Sequence, residues 1–146
     1  LKTWHVIVAP QDGRGKDLPP LPGLPDVLHR EGRFFTMIPT CDINIWRDQV
    51  AILVAEPTGP QTTRETIHIL FAPEAMDARH EVARQQAFAA WDGLNREDIG
   101  ILESMQRGRV SPGFDGGAFS PYWDPGTQFF ARQVADLMMQ HAKESP

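Results

Sequence analysis

Cysteine is almost missing from this chain: Cys41 is the single one among 146 residues. One thiol cannot staple a chain internally, which excludes a disulfide scaffold and suits a reducing, cytoplasmic setting. Long apolar runs are missing too. No stretch approaches the roughly 18 residues that cross a bilayer, and none reads as a signal peptide. There is no excess of basic residues either. The net charge of −5 argues against a nucleic-acid surface, which is ordinarily a basic stripe. What remains is 41% apolar residues in a chain of ordinary single-domain length, enough to fill a core.

The organisation falls into three parts. Residues 1–32 form an irregular lead-in, rich in proline and glycine over 10–26, with Pro19, Pro20, Pro22 and Pro25. Proline removes a backbone donor and disfavours helix at the residue before it, so this segment reads as surface loop. An extended ligand for a partner domain is its functional reading.

Residues 33–72 read as strands. Phe34 to Ile38 is aromatic and apolar and stops at Pro39. From Asp42 to Trp46, Ile43 and Ile45 take one side while Asp42, Asn44 and Trp46 take the other. Arg47-Asp48 is a turn before Gln49 to Glu56, which is apolar on both faces and reads as a covered central strand. Thr66 to Phe71 alternates again, with Ile67, Ile69 and Phe71 together. Short connections between consecutive strands predict an antiparallel sheet.

Residues 73–146 read as helices. Pro73 opens the first, which Asp92-Gly93 is expected to end. Asn95 is then an N-cap for a second helix running to about Gly108, with Glu97 and Asp98 in its first turn, where the helix dipole favours acids. Ile99, Leu102 and Met105 recur at helical spacing and turn one face inward. A last helix is expected over 126–142. Strands followed by helices mean α+β.

Capping is the ordinary explanation for an acid at a helix start. The wider pattern suggests another. Glu97-Asp98 followed by Gln106-Arg107-Gly108 resembles the C-terminal signature of Rieske-type ring-hydroxylating oxygenase large subunits. Phe34-Phe35-Thr36-Met37-Ile38-Pro39, then Asp42-Ile43-Asn44-Ile45-Trp46, is similar to that family's aromatic strand, proline and second strand. Val50 to Pro57, Gly59-Pro60 and Thr62-Thr63-Arg64 resemble its next hairpin. Ser111, Phe114, Gly116-Gly117, Phe119-Ser120, Asp124 and Phe129-Phe130 follow in the family's order. The resemblance covers about residues 33 to 140.

That resemblance implies a helix-grip fold of the START/Bet v 1 kind: a curved antiparallel sheet holding a long C-terminal helix, with a substrate cavity between them. It implies a mononuclear Fe(II) with Asp98 as carboxylate ligand, Glu97 being the adjacent alternative. Neighbours on a helix turn by about 100°, so one of the two faces the iron. Dioxygen is the implied co-substrate, and an aromatic or other small organic molecule is hydroxylated or dealkylated. Electrons would arrive from a [2Fe-2S] Rieske cluster in a neighbouring subunit, fed by a ferredoxin or flavin reductase. The implied assembly is a homotrimer or an alpha-beta hexamer.

Two family features are missing here. The family supplies two closely spaced histidines to its iron, whereas His5, His29, His68, His80 and His141 are far apart. A Rieske cluster needs two cysteines and two histidines, and one cysteine cannot build it. The chain also opens with Leu1. The expectation is therefore the C-terminal part of an oxygenase catalytic domain, inactive alone, with the missing ligands upstream.

Asn44 and Trp46, sharing a strand face, and His68, on an alternating strand, are candidates to line the substrate pocket. A hydrogen-bonded structural role is the plainer alternative for His68. His80 and His141 read as solvated, Cys41 as packing, and Phe129-Phe130 as core. Gly93 and Gly116-Gly117 lack the strand-to-helix setting of a phosphate loop. Two other functions stay open: a non-enzymatic helix-grip module for an apolar small molecule, and an assembly subunit without its own iron site, joining a partner through an unpaired sheet edge.

Overall fold

Five antiparallel strands in simple sequential order, followed by two helices, make up the protein. The computed structural model describes residues 3–7 and 17–144. The strands are β1 (Thr3–Ile7), β2 (Gly32–Met37), β3 (Cys41–Ile45), β4 (Gln49–Gly59) and β5 (Thr62–Phe71), and each pairs with the next. Helix α1 spans Glu81–Arg109 and α2 spans Pro125–Glu144. The architecture is α+β with an open sheet, as the helix-grip expectation requires. β1 lies inside the segment expected to be irregular. Much of the Pro-rich stretch falls outside the described residues. From residue 17 it runs as turns and extended chain to a short 3-10 turn, Asp26–His29.

Direct partners across an antiparallel ladder share a face. One face carries the row Phe34, Asn44, Ala51 and Ile69, with Gln49 opposite Phe71 in the next row. Trp46 continues this face. Its N–H donates to the Gln49 carbonyl at 2.9 Å, and its ring meets Phe34 edge-on at 5.3 Å. Gly32 admits that ring, because a Cβ there would stand 3.0 Å from it. The opposite face carries the row Phe35, Ile43, Ile52 and His68, beside Ile45, Val50 and Leu70.

The packed core sits at one end of the first face. Leu18, Ala75, Ala83 and Ala87 are buried together, with Phe71 against them. Phe71 also meets Phe88 of α1 edge-to-face at 5.9 Å, an arrangement worth about 1 kcal/mol beyond the area it buries. The 17–25 segment is pinned across this end, where Leu21 N–H donates to the Arg47 carbonyl at 2.8 Å. Arg47 reaches back to the Leu18 carbonyl at 3.4 Å.

The helices depart from expectation at both ends of α1. Pro73 opens a 3-10 turn, Pro73–Met76, and a second follows at Ala78–His80. Arg84 explains this offset. It donates to the carbonyls of Ala75 and Asp77 and pairs with Glu81, tying both short turns to the true helix start.

At Asp92-Gly93 the helix does not stop; α1 continues for 29 residues. One helical glycine costs only about 1 kcal/mol, and here the Asp92–Arg96 pair at 2.8 Å bridges it. Asn95 is therefore not an N-cap, and Asp98 is not in a first turn. Helix α2 begins where Asp124 precedes Pro125, a residue suited to a first helical position, and it lies beside β1. Among the described residues no helix is long and apolar enough to cross a membrane.

Candidate active site

Removing the helix start from Asn95 removes the capping explanation for Asp98. Aspartate is a poor residue for a helix interior, where its side chain competes with the backbone. Its surroundings are also unusual. At about 100° per residue, Trp91, Leu94, Ile101, Leu102 and Met105 all fall within about 60° of Asp98. The buried Ala83 and Ala87 lie on the same stripe further back. Asp98 is thus an acid set in the apolar face of α1, about 16 Å along the axis from Ala87. Glu97 points about 100° away, flanked by Gly93 and Gly100, around which there is open space.

The other acids of α1 are paired. Glu81 bonds Gln85 and Arg84, which together hold its carboxyl below the usual range. Asp92 meets Arg96, and Glu103 lies 3.9 Å from Arg107. Asp98 and Glu97 are exposed and have no hydrogen bond or ion pair among the described residues. Leu94, Ile101, Leu102 and Met105 are exposed as well. An apolar stripe with one unpaired carboxylate at its centre is a surface shaped for another layer of protein or ligand.

The remaining candidates separate. Asn44 and Trp46 do share a face, and Asn44 is buried at 7% exposure. His68 lies on the opposite face and is exposed, because β4 and β5 pair Ile52 with His68 and place the Asn44 row one step over. The structure therefore joins Asn44 to Trp46 but brings neither His68 nor Asp98 to them. His80, expected in solvent, is half-buried in its 3-10 turn. Among the described residues no three of His, Cys, Asp and Glu gather as a metal site.

Gln49 was missed from sequence. It stands on the same face, at 9% exposure, and its Oε1 has no hydrogen-bond partner; neither has the Trp46 Nε1. Its signal was a polar residue opening an otherwise apolar strand. Beside it, Asp48 is buried, and its carboxyl rises to about 6. Loss of water drives that rise, against its own backbone hydrogen bond and the charge of Arg47.

A cavity of about 570 Å³ opens at the far end of α1, lined by Met105, Arg109, Phe114 and Phe119 among others. None of the expected pocket residues lines it. It forms where residues 111–119 fold back beneath the helix end, with Phe114 N–H bonded to the Ser111 carbonyl at 3.0 Å.

Residues 3–140 match the family described as "Ring hydroxylating alpha subunit (catalytic domain)". The chain belongs to that family of oxygenase catalytic domains, and the match reaches back to β1, beyond the stretch recognised in the sequence. No curated protein and no solved structure matches it.

Proposed function

We propose that this chain supplies the carboxylate ligand, Asp98, to a mononuclear Fe(II) in a Rieske-type oxygenase. The enzyme hydroxylates or dealkylates an aromatic or other small organic substrate with dioxygen. One observation carries the reading: Asp98 is unpaired, mid-helix and on the apolar stripe, where no capping or ion-pair role accounts for it. The same geometry favours Asp98 over Glu97, which lies off the stripe.

The described residues do not hold an iron by themselves, since no three of their His, Cys, Asp and Glu side chains gather. Two histidines from outside them would complete the ligand set with Asp98, and an iron so held would supply the activation of dioxygen. The [2Fe-2S] cluster also lies elsewhere, because this chain has one cysteine. Electrons come from a ferredoxin or flavin reductase, and the assembly is a homotrimer or an alpha-beta hexamer. Alone, the chain is inactive. Its own contribution is positional: α1 presents the carboxylate, and the apolar stripe around it keeps water from the covered site.

The test is iron content of the assembled oxygenase. Asp98→Ala is expected to lose mononuclear iron and oxygenation while the Rieske spectrum stays unchanged. Glu97→Ala is expected to keep both. Full iron and full turnover in Asp98→Ala would remove Asp98 from the mechanism.

A further inference from the structure

Buried polar groups ordinarily find partners, because leaving one unpaired costs about 1–3 kcal/mol. On the face shared by Asn44, Trp46 and Gln49, two groups break that rule. Asn44 beside them is a buried residue, 7% exposed, whose side chain makes no hydrogen bond among the described residues. The Gln49 Oε1 and the Trp46 Nε1–H are sealed from solvent and unbonded. They are neighbours. Trp46 stands opposite Gln49 across the ladder, and Asn44 stands opposite Ala51, two residues from Gln49 on the same strand. Ala51 is fully buried and contributes only a methyl group at the centre of this cluster. Two carboxamides and an indole N–H therefore share one patch of this face, flanked by Phe34 and Phe71, and among the described residues none of them has a side-chain partner.

We infer that Asn44, Trp46 and Gln49 form a hydrogen-bonding clamp for an uncharged polar group of the substrate, an amide or a hydroxyl. The clamp offers both donors and acceptors, which matches a group that does the same. None of its three side chains is a cation. Arg47 is engaged by the Leu18 carbonyl, and Arg84 by two carbonyls and Glu81. A carboxylate set against these three neutral side chains would lose its hydration and gain no charged partner from them. Burying an unpaired charge is far costlier than burying a bonded amide. Phe34 and Phe71 suit an aromatic body behind the polar head. The inference rests on the oxygenase reading for the word substrate; the clamp itself needs neither iron nor turnover.

The experiment is a titration of the ¹⁵N-labelled protein with benzamide and, separately, with benzoate, following side-chain N–H signals. Benzamide is expected to move the Trp46 indole and the Asn44 and Gln49 carboxamide signals, and to bind at least about tenfold tighter than benzoate. Gln49→Met is expected to weaken benzamide about tenfold while raising Tm, because an unpartnered amide gives way to an apolar chain of similar size. Asn44→Leu serves as a second variant with the same expectation. A purely structural amide would lower Tm on replacement. Equal or tighter binding of benzoate, shifts confined to the cavity around Phe114, or silence to both probes would each overturn the clamp. An Asp98→Ala variant that loses iron while benzamide leaves the three signals still sinks the clamp alone. The reverse pattern sinks the iron reading alone.

Discussion

The first two turns of α1 and its last four obey different rules. Near Glu81 the helix is anchored: Ala83 and Ala87 are buried, Arg84 is 8% exposed, and Phe88 meets Phe71. Beyond Trp91 the same apolar stripe is largely uncovered among the described residues, and Ile101 and Leu102 are 60% and 58% exposed. A helix whose pattern runs unbroken past the end of its cover is patterned for a second layer. The difference teaches that the sheet end holds the fold, whereas the distal half of α1 is built for function or assembly.

Four perturbations test that division, and the anchored end should yield the largest effect. Arg84→Met strips the Ala75 and Asp77 carbonyls of their partner, so roughly 3 kcal/mol of stability should vanish in urea unfolding. A loss under 1 kcal/mol would show that the anchor lies elsewhere.

Next comes Asp48. Its carboxyl rises from the model-compound value of 3.8 to about 6, so the fold prefers the protonated form. Its contribution is complete below pH 3.8 and disappears as pH rises through about 6, which amounts to up to about 3 kcal/mol. Asp48→Asn should therefore stabilise the protein at pH 8 relative to wild type and flatten the urea midpoint between about pH 4 and pH 7. An unchanged profile would mean that the turn opens to water when the acid ionises.

Smaller gains belong to the distal half. Gly93 and Gly100 have no atoms within 4 Å of where a Cβ would stand, so Gly93→Ala and Gly100→Ala should each add about 1 kcal/mol through helix propensity. Destabilisation by either would reveal a close neighbour on that side. Smallest of all, Leu102→Ala should change stability by less than about 0.5 kcal/mol, since the side chain is largely exposed. A loss of 2 kcal/mol or more, read from Tm or urea midpoint, would show that the stripe is already covered in solution and would break the comparison.

Much of the sheet was legible in advance. Pro39 ended β2, the alternation from Asp42 to Trp46 sorted that strand's two faces, and Gln49 opened the covered strand. Those features are local, because side-chain period and proline geometry act within a few residues. The candidate site was legible only in part. Asn44 and Trp46 were rightly placed together, but His68 was grouped with them although it stands on the other face. Gln49 was passed over, since nothing local marks an amide as lacking a partner.

By itself, then, the sequence determined the strand faces, the α+β order and the family signature around Asp98. Each depends on spacing along the chain. The tertiary structure decided the rest: that α1 runs through Gly93, and that Asn44, Trp46 and Gln49 meet around Ala51. These are outcomes of register between strands and of Arg84 tying distant carbonyls to one helix. Contacts of that kind are made by residues far apart in the chain, and spacing along it does not encode which of them will face each other.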